Sequence, residues 1–184
     1  ANPDIQAYRY DPYSKKFTHE YFEHSEMYRL RRDAIERARD AKFFGVVLGT
    51  LGRQGSTAIL ERLEESLCAA GKEYTVVLLS EIFPAKLAMF EEVEAWIQIA
   101  CPRLSIDWGH HFSTPLLSPY EAEVALGQAQ WRDTYPMDFY ARGGGRWTVR
   151  YGEVDPLERM RALRAQKQAE QEGASPTASI VSSE

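Results

Sequence analysis

The chain has 184 residues, 44% of them hydrophobic, which is enough for one domain with a substantial core. Its net charge of -5 provides no basic face for nucleic acid, and its longest apolar run is far short of a membrane span. Two cysteines, Cys68 and Cys101, are too few for a disulfide scaffold; with no charged-then-apolar leader after Ala1, they point to a reducing, cytoplasmic setting.

Residues 1–17 are rich in Tyr, Pro and Asp without a clear period, and read as an irregular arm lying on another part of a parent protein. Residues 18–41 read as one long helix, with Met27, Leu30, Ala34, Ala38 and Ala41 at helical spacing. Six acids and six bases fall within 19–42, as expected of a solvated face laced with intrahelical pairs. Phe43 to Leu48 is a short buried strand, Gly49 to Ser56 a glycine-rich turn, and Thr57 to Ala70 a helix with an apolar stripe of Ile59, Leu60, Leu63 and Leu67. Gly71 closes that helix as a C-cap glycine, and Tyr74 to Leu79 is a second strand, completing a βαβ unit. Pro84 opens a short helix through Phe90, Ala95 to Ala100 is a third strand, and a further helix starts near Ser105. Tyr120 to Gln128 is a helix entered through Ser118-Pro119. Trp131 to Tyr140 is aromatic and irregular, with room for one last short strand, and Gly143 to Gly145 is a flexible break. Residues 155–172 read as a polar helix, and 173–184 as disordered. The fold class is α/β with a mainly parallel sheet.

In an open parallel sheet, ligands bind outside the carboxyl ends of the strands. Gly49 to Ser56, Ser80 to Pro84 and Cys101 to Asp107 all leave strands at that end and can meet on one rim. The spacing Gly49-x-x-Gly52-x-x-Gly55 is neither the dinucleotide fingerprint nor a P-loop. The loop reads equally as a tight βα turn or as an anion site at a helix N-terminus, with Arg53 and Gln54 as donors. A lone Cys is by default a buried packing residue, and Cys68, beside the apolar stripe, is read that way. Cys101, at a strand end before Pro102, is the candidate for chemistry. His110 and His111 follow it but give no zinc pattern. Glu81 and Asp107 are the acids of the rim, each readable as an acceptor for an amine or hydroxyl, or as a cap or ion-pair partner.

Five stretches carry a resemblance: Leu48 to Ser56 (LGTLGRQGS), Leu79 to Pro84 (LSEIFP), Ala100 to Gly109 (ACPRLSIDWG), Tyr135 to Tyr140 (YPMDFY) and Tyr8 to Lys15 (YRYDPYSK). Together they resemble the C-terminal portion of the subunit 1 family of diphthamide synthase, the catalytic 2-(3-amino-3-carboxypropyl)histidine synthase subunits, over residues 5–150. The resemblance implies a Rossmann-like three-layer domain, the third of three similar domains in the parent protein. Residues 1–41 would then be an inter-domain arm and helix, 42–150 the cluster-binding domain, and 151–184 a polar tail. It implies that Cys101 is one of three cysteine ligands of a 4Fe-4S cluster, the other two lying outside this chain. The open iron would take S-adenosylmethionine, whose 3-amino-3-carboxypropyl group passes by a radical route to a histidine of elongation factor 2, the first step of diphthamide biosynthesis. Gly52, Arg53, Gln54, Gly55, Arg103 and Asp107 are the residues expected to hold S-adenosylmethionine. Implied partners are a second diphthamide synthase subunit in a heterodimer, elongation factor 2 as substrate, and a small iron protein as electron donor, with no nucleic acid and no membrane. The Trp- and Tyr-rich segment 109–154 is expected to pack on that partner or on the other domains. The chain alone would be inactive. The rivals are a Rossmann-fold transferase using a soluble nucleotide cofactor, with Cys101 in the core, and a non-catalytic, cluster-carrying partner subunit.

Overall fold

The computed structural model describes residues 5–51, 54–153, 156–157, 159–162 and 164. It divides into two compact units, residues 1–151 and 152–184. Of the second unit, 156–157, 159–162 and 164 are helical, in line with a polar helix there; the remainder of the expected helix and the expected disordered tail lie outside the described residues.

The first unit opens with a hairpin, not an irregular arm: β1 (Ala7–Asp11) pairs antiparallel with β2 (Lys16–Glu20). Alternation puts Tyr8, Tyr10, Phe17 and His19 on one face and Arg9, Asp11, Lys16 and Thr18 on the other. Tyr8 stacks on Phe17 and His19, with ring centroids 5.2 and 4.6 Å away. The turn is held by the Asp11 carboxylate, which accepts from the Tyr13 N–H at 3.0 Å and the Ser14 hydroxyl at 2.6 Å. These strands occupy the residues expected to begin the first helix, so α1 runs only over His24–Arg39.

The main sheet is parallel throughout, in the order β4-β3-β5-β6, with β3 at Phe43–Gly49, β4 at Glu73–Leu79, β5 at Ala95–Ile99 and β6 at Leu116–Leu117. Strict alternation along the strands separates two cores. Phe44, Val46, Ile97, Ile99 and Leu117 face one side, where they pack with α1, α2 (Thr57–Ala69) and α5 (Pro119–Ala125). Val47, Trp96 and Leu116 face the other, with Leu87 of α3 (Pro84–Leu87), Leu104 of α4 (Pro102–Trp108) and Phe112 after the 3-10 turn Gly109–His111. Helices therefore cover both faces. Gly71, at φ 65, ends α2 as expected, its N–H donating to the Cys68 carbonyl and that of Lys72 to Leu67.

Three further expectations change. The helix placed near Ser105 starts at Pro102, because a proline fixed at helical φ directly follows the strand-end residue Cys101. The last strand is Leu116–Leu117, too short to show a period, and 131–140 forms none. The aromatic segment is largely consumed by this chain's own core. Tyr135 and Trp147 are buried, with their rings 5.3 and 4.9 Å from that of Tyr120, and only Tyr140 and Tyr151 remain exposed among its large rings.

Candidate functional site

The strand order locates a crevice. From β3 the chain enters α2 on one face, whereas from β5 it enters α4, whose Leu104 packs on the other face. β3 and β5 are neighbours, so the loops leaving their carboxyl ends part from each other. The glycine-rich turn and Cys101 flank that opening. The loop after β4 joins the same rim, with the Thr50 N–H donating to the Leu79 carbonyl at 2.9 Å.

The glycines of the turn have a packing reason. A side chain at Gly55 would collide with the Gly49 carbonyl oxygen, and one at Gly49 would press on Ala100 at 2.8 Å. The turn thus folds back onto the strand end and abuts the residue before Cys101. Gly52 and Arg53 lie outside the described residues. Gln54 lines a small cavity of about 80 Å³ together with Ile99, Ala100, Pro102, Met137 and Tyr140. Arg103 and Asp107 face elsewhere: they are ion-paired at 2.7 Å on α4 and line a larger cleft of about 410 Å³ beside His24, Met27 and Phe22. Met137 borders both spaces, so Gln54 and the Arg103–Asp107 pair fall in two adjoining cavities around the start of α4, while Gly55 lines neither.

Cys101 is a free, half-buried cysteine at the N-cap of α4, with φ -67 and ψ 121. Cys68 is also free but exposed, which corrects the expectation that it packs: it lies one residue past the buried Leu67, turned off the stripe. Among the described residues, no three His, Cys, Asp or Glu side chains are grouped so as to hold a metal ion by themselves. His110 and His111 lie side by side with their rings tilted by 39° and centroids 4.0 Å apart.

Sequence reasoning missed Gln98. Its side chain is fully buried in β5 and donates from Nε2 to the Cys101 carbonyl and to Ser105 Oγ, each at 3.0 Å. The signal was present: one amide in the otherwise apolar run Ala95 to Ala100. A second unforeseen feature is the Arg31 side chain, 3% exposed, which donates to both carboxylate oxygens of Glu121 at 2.6 and 2.7 Å and to the Leu116 carbonyl. Burial alone would lower the Arg31 pKa, but the adjoining carboxylate of Glu121 overrides it and holds the guanidinium above its ordinary value. Burial, reinforced by the Glu121 charge, pushes the Tyr135 phenol well above its usual range, so it stays neutral while bonded to Ser118 at 2.7 Å.

Comparison with known proteins places this geometry. The family described as "Putative diphthamide synthesis protein" matches residues 1–136. The 2-(3-amino-3-carboxypropyl)histidine synthase subunit 1 of Dictyostelium discoideum is 64% identical over 80% of this chain and 31% of its own length. The Homo sapiens protein of the same name is 56% identical over 83% of this chain and 35% of its own. The chain thus spans about a third of these relatives. A crystal structure of Dph2 from Pyrococcus horikoshii with a 4Fe-4S cluster superposes with a TM-score of 0.60 at 29% identity, covering 74% of this chain and 38% of that one. On sequence and on fold alike, the chain belongs to the diphthamide synthesis family, among relatives named as its subunit 1.

Proposed function

We propose that this chain is the C-terminal part of a 4Fe-4S enzyme that transfers the 3-amino-3-carboxypropyl group of S-adenosylmethionine to a histidine of elongation factor 2. The observation that carries this is the position of Cys101, a half-buried free thiol at the parting of the loops after β3 and β5. The family membership and the cluster-bearing neighbour supply the chemistry. The donor set fits one corner of a shared cluster: a single soft thiolate reaches the rim, and its companion ligands come from outside this chain. When bound, the cluster supplies the electron that opens S-adenosylmethionine on its 3-amino-3-carboxypropyl side.

The chain's own part is ligation and placement. Cys101 anchors the cluster to this domain. Gln54 and Gly55, together with Gly52 and Arg53 as assigned from the sequence, are the residues for the substrate carboxylate or ribose. Arg103 and Asp107 offer a cation and an acceptor from α4, in the cleft next door. Two similar domains complete the enzyme, so this chain alone is inactive. The second subunit, elongation factor 2 and a small iron protein are its partners in the cytoplasm. The aromatic face of the hairpin, with Tyr8 53% and Phe17 67% exposed, is the arm that lies on another part of the parent protein.

The test is anaerobic reconstitution of the full-length protein with its partner subunit. Cys101→Ala is expected to lose the cluster iron and the transfer to elongation factor 2, while Cys68→Ala keeps both. Full iron and full transfer in Cys101→Ala would refute the assignment.

A further inference from the structure

We infer that Gln98 is a positioning residue for Cys101, acting through the backbone at the junction of β5 and α4; this rests on Cys101 being a cluster ligand. Gln98 lies in the interior of a strand paired on both sides and is 0% exposed. Its in-register neighbour on β3 is Val47, and Trp96 shares its face of the sheet. An aliphatic side chain would suit that place. The amide carries a penalty instead: its Oε1 is buried and has no hydrogen-bond partner among the described residues.

What the amide does is hold the turn. Pro102 has no N–H, and α4 has no side-chain cap, so the usual means of fixing a helix start are missing at Cys101. Gln98 Nε2 fills that role from beneath. It donates to the Cys101 carbonyl at 3.0 Å, which also accepts from the Leu104 N–H at 3.0 Å. It also donates to Ser105 Oγ at 3.0 Å, one turn into α4, and Ser105 is itself 0% exposed. The Cys101 carbonyl belongs to the peptide plane shared with Pro102. Pinning that oxygen fixes ψ of Cys101, while the proline ring restricts the same residue to extended backbone. With ψ held on both sides, the direction in which the thiol leaves the backbone is set before any cluster arrives. Groups that orient a metal ligand from behind commonly alter metal retention about 10–100-fold when removed.

The experiment uses the full-length protein with its partner subunit, reconstituted without oxygen. Three quantities are measured: melting temperature, the rate of iron release to a chelator, and the electron paramagnetic resonance spectrum of the reduced cluster. Gln98→Met keeps the volume and removes the donor. It is expected to melt no lower than the parent, to release iron about tenfold faster, and to give a shifted or broadened spectrum. Ser105→Ala, which frees one end of the same amide, is expected to move iron release in the same direction by a smaller factor, and it decides the matter if Gln98→Met is unstable. Iron release and spectra identical to the parent, in whichever of these variants folds, would overturn the positioning role. A Cys101→Ala arm separates the two ideas. If it keeps a full cluster, the ligand assignment falls and this inference with it. If it loses the cluster while the Gln98 and Ser105 variants match the parent, only the positioning role falls.

Discussion

Gly55 lies where a carbonyl oxygen leaves no room for a methyl group, and that oxygen belongs to Gly49 at the end of the central strand. Backbone cannot yield as a flexible side chain can, so Gly55→Ala is expected to destabilise the fold by about 1–3 kcal/mol in urea titrations. An unchanged midpoint would mean that the turn does not rest on the strand. The residue scale was only partly legible. Gly71 was readable as a helix stop because an apolar stripe ended just before it. The glycine spacing could not say whether the turn serves packing or a ligand, since both need the same missing Cβ. Cys68 was misread because stripe membership depends on a rotation of one residue, and its neighbour Leu67 took the buried place. Gln98 was overlooked for a different reason: its partners, Cys101 and Ser105, become neighbours only once α4 starts at Pro102.

At the scale of elements, the buried pair Arg31–Glu121 joins α1 to α5 and β6. Glu121 also closes the capping box of α5 with Ser118, and Ser118 in turn holds Tyr135. Arg31→Met would leave a carboxylate buried without its cation, at an expected cost of about 3–5 kcal/mol. Removing Glu121 as well should cost much less than the sum of the two single changes. Additive losses in a double-mutant cycle would contradict this coupling. No periodicity argument finds such a pair, because Arg31 occupies a position on a charge-rich helix that otherwise reads as solvated. That expectation holds for Glu26–Arg29 and Glu36–Arg39, both exposed pairs at 2.7 Å. β3 and β5 were legible because strands buried on both faces are written as nearly continuous apolar runs, and β4, half-exposed at the sheet edge, because its apolar run directly follows the helix stop at Gly71. The hairpin was not, since Pro12 and the polar partners of its aromatics masked the two-residue alternation.

For the whole molecule, a second tie closes the chain onto α2. Arg62 donates to the carbonyls of Arg146 and Thr148 at 2.8 and 2.6 Å, and Arg146 reaches Glu65 at 3.1 Å and Glu123 at 3.6 Å. Glu123 is 1% exposed, and its Oε2 has no hydrogen-bond partner among the described residues. Burial raises its pKa above the ordinary carboxylate value, an effect that Arg146 only partly offsets. A carboxyl raised in the folded state contributes stability below the unfolded value and loses it as pH climbs through the folded one. The melting temperature of Glu123→Gln relative to the parent should therefore rise between acid and neutral pH. A flat difference would mean that Glu123 titrates normally.

The α/β class was legible from the strand–helix alternation, and the rule that ligands gather at the carboxyl ends of parallel strands indicated where to look for a site. The proposed cluster was not legible from residue spacing, because a single cysteine carries no spacing pattern and the chain spans about a third of its relatives' length. The measurement that bears most directly on that assignment is differential alkylation of the full-length reconstituted protein, read by peptide mass spectrometry before and after the iron is chelated. Cys101 should be protected while the cluster is bound and labelled once it is removed, whereas the exposed Cys68 should be labelled in both states. Equal labelling of Cys101 in the two states would contradict its role as a ligand.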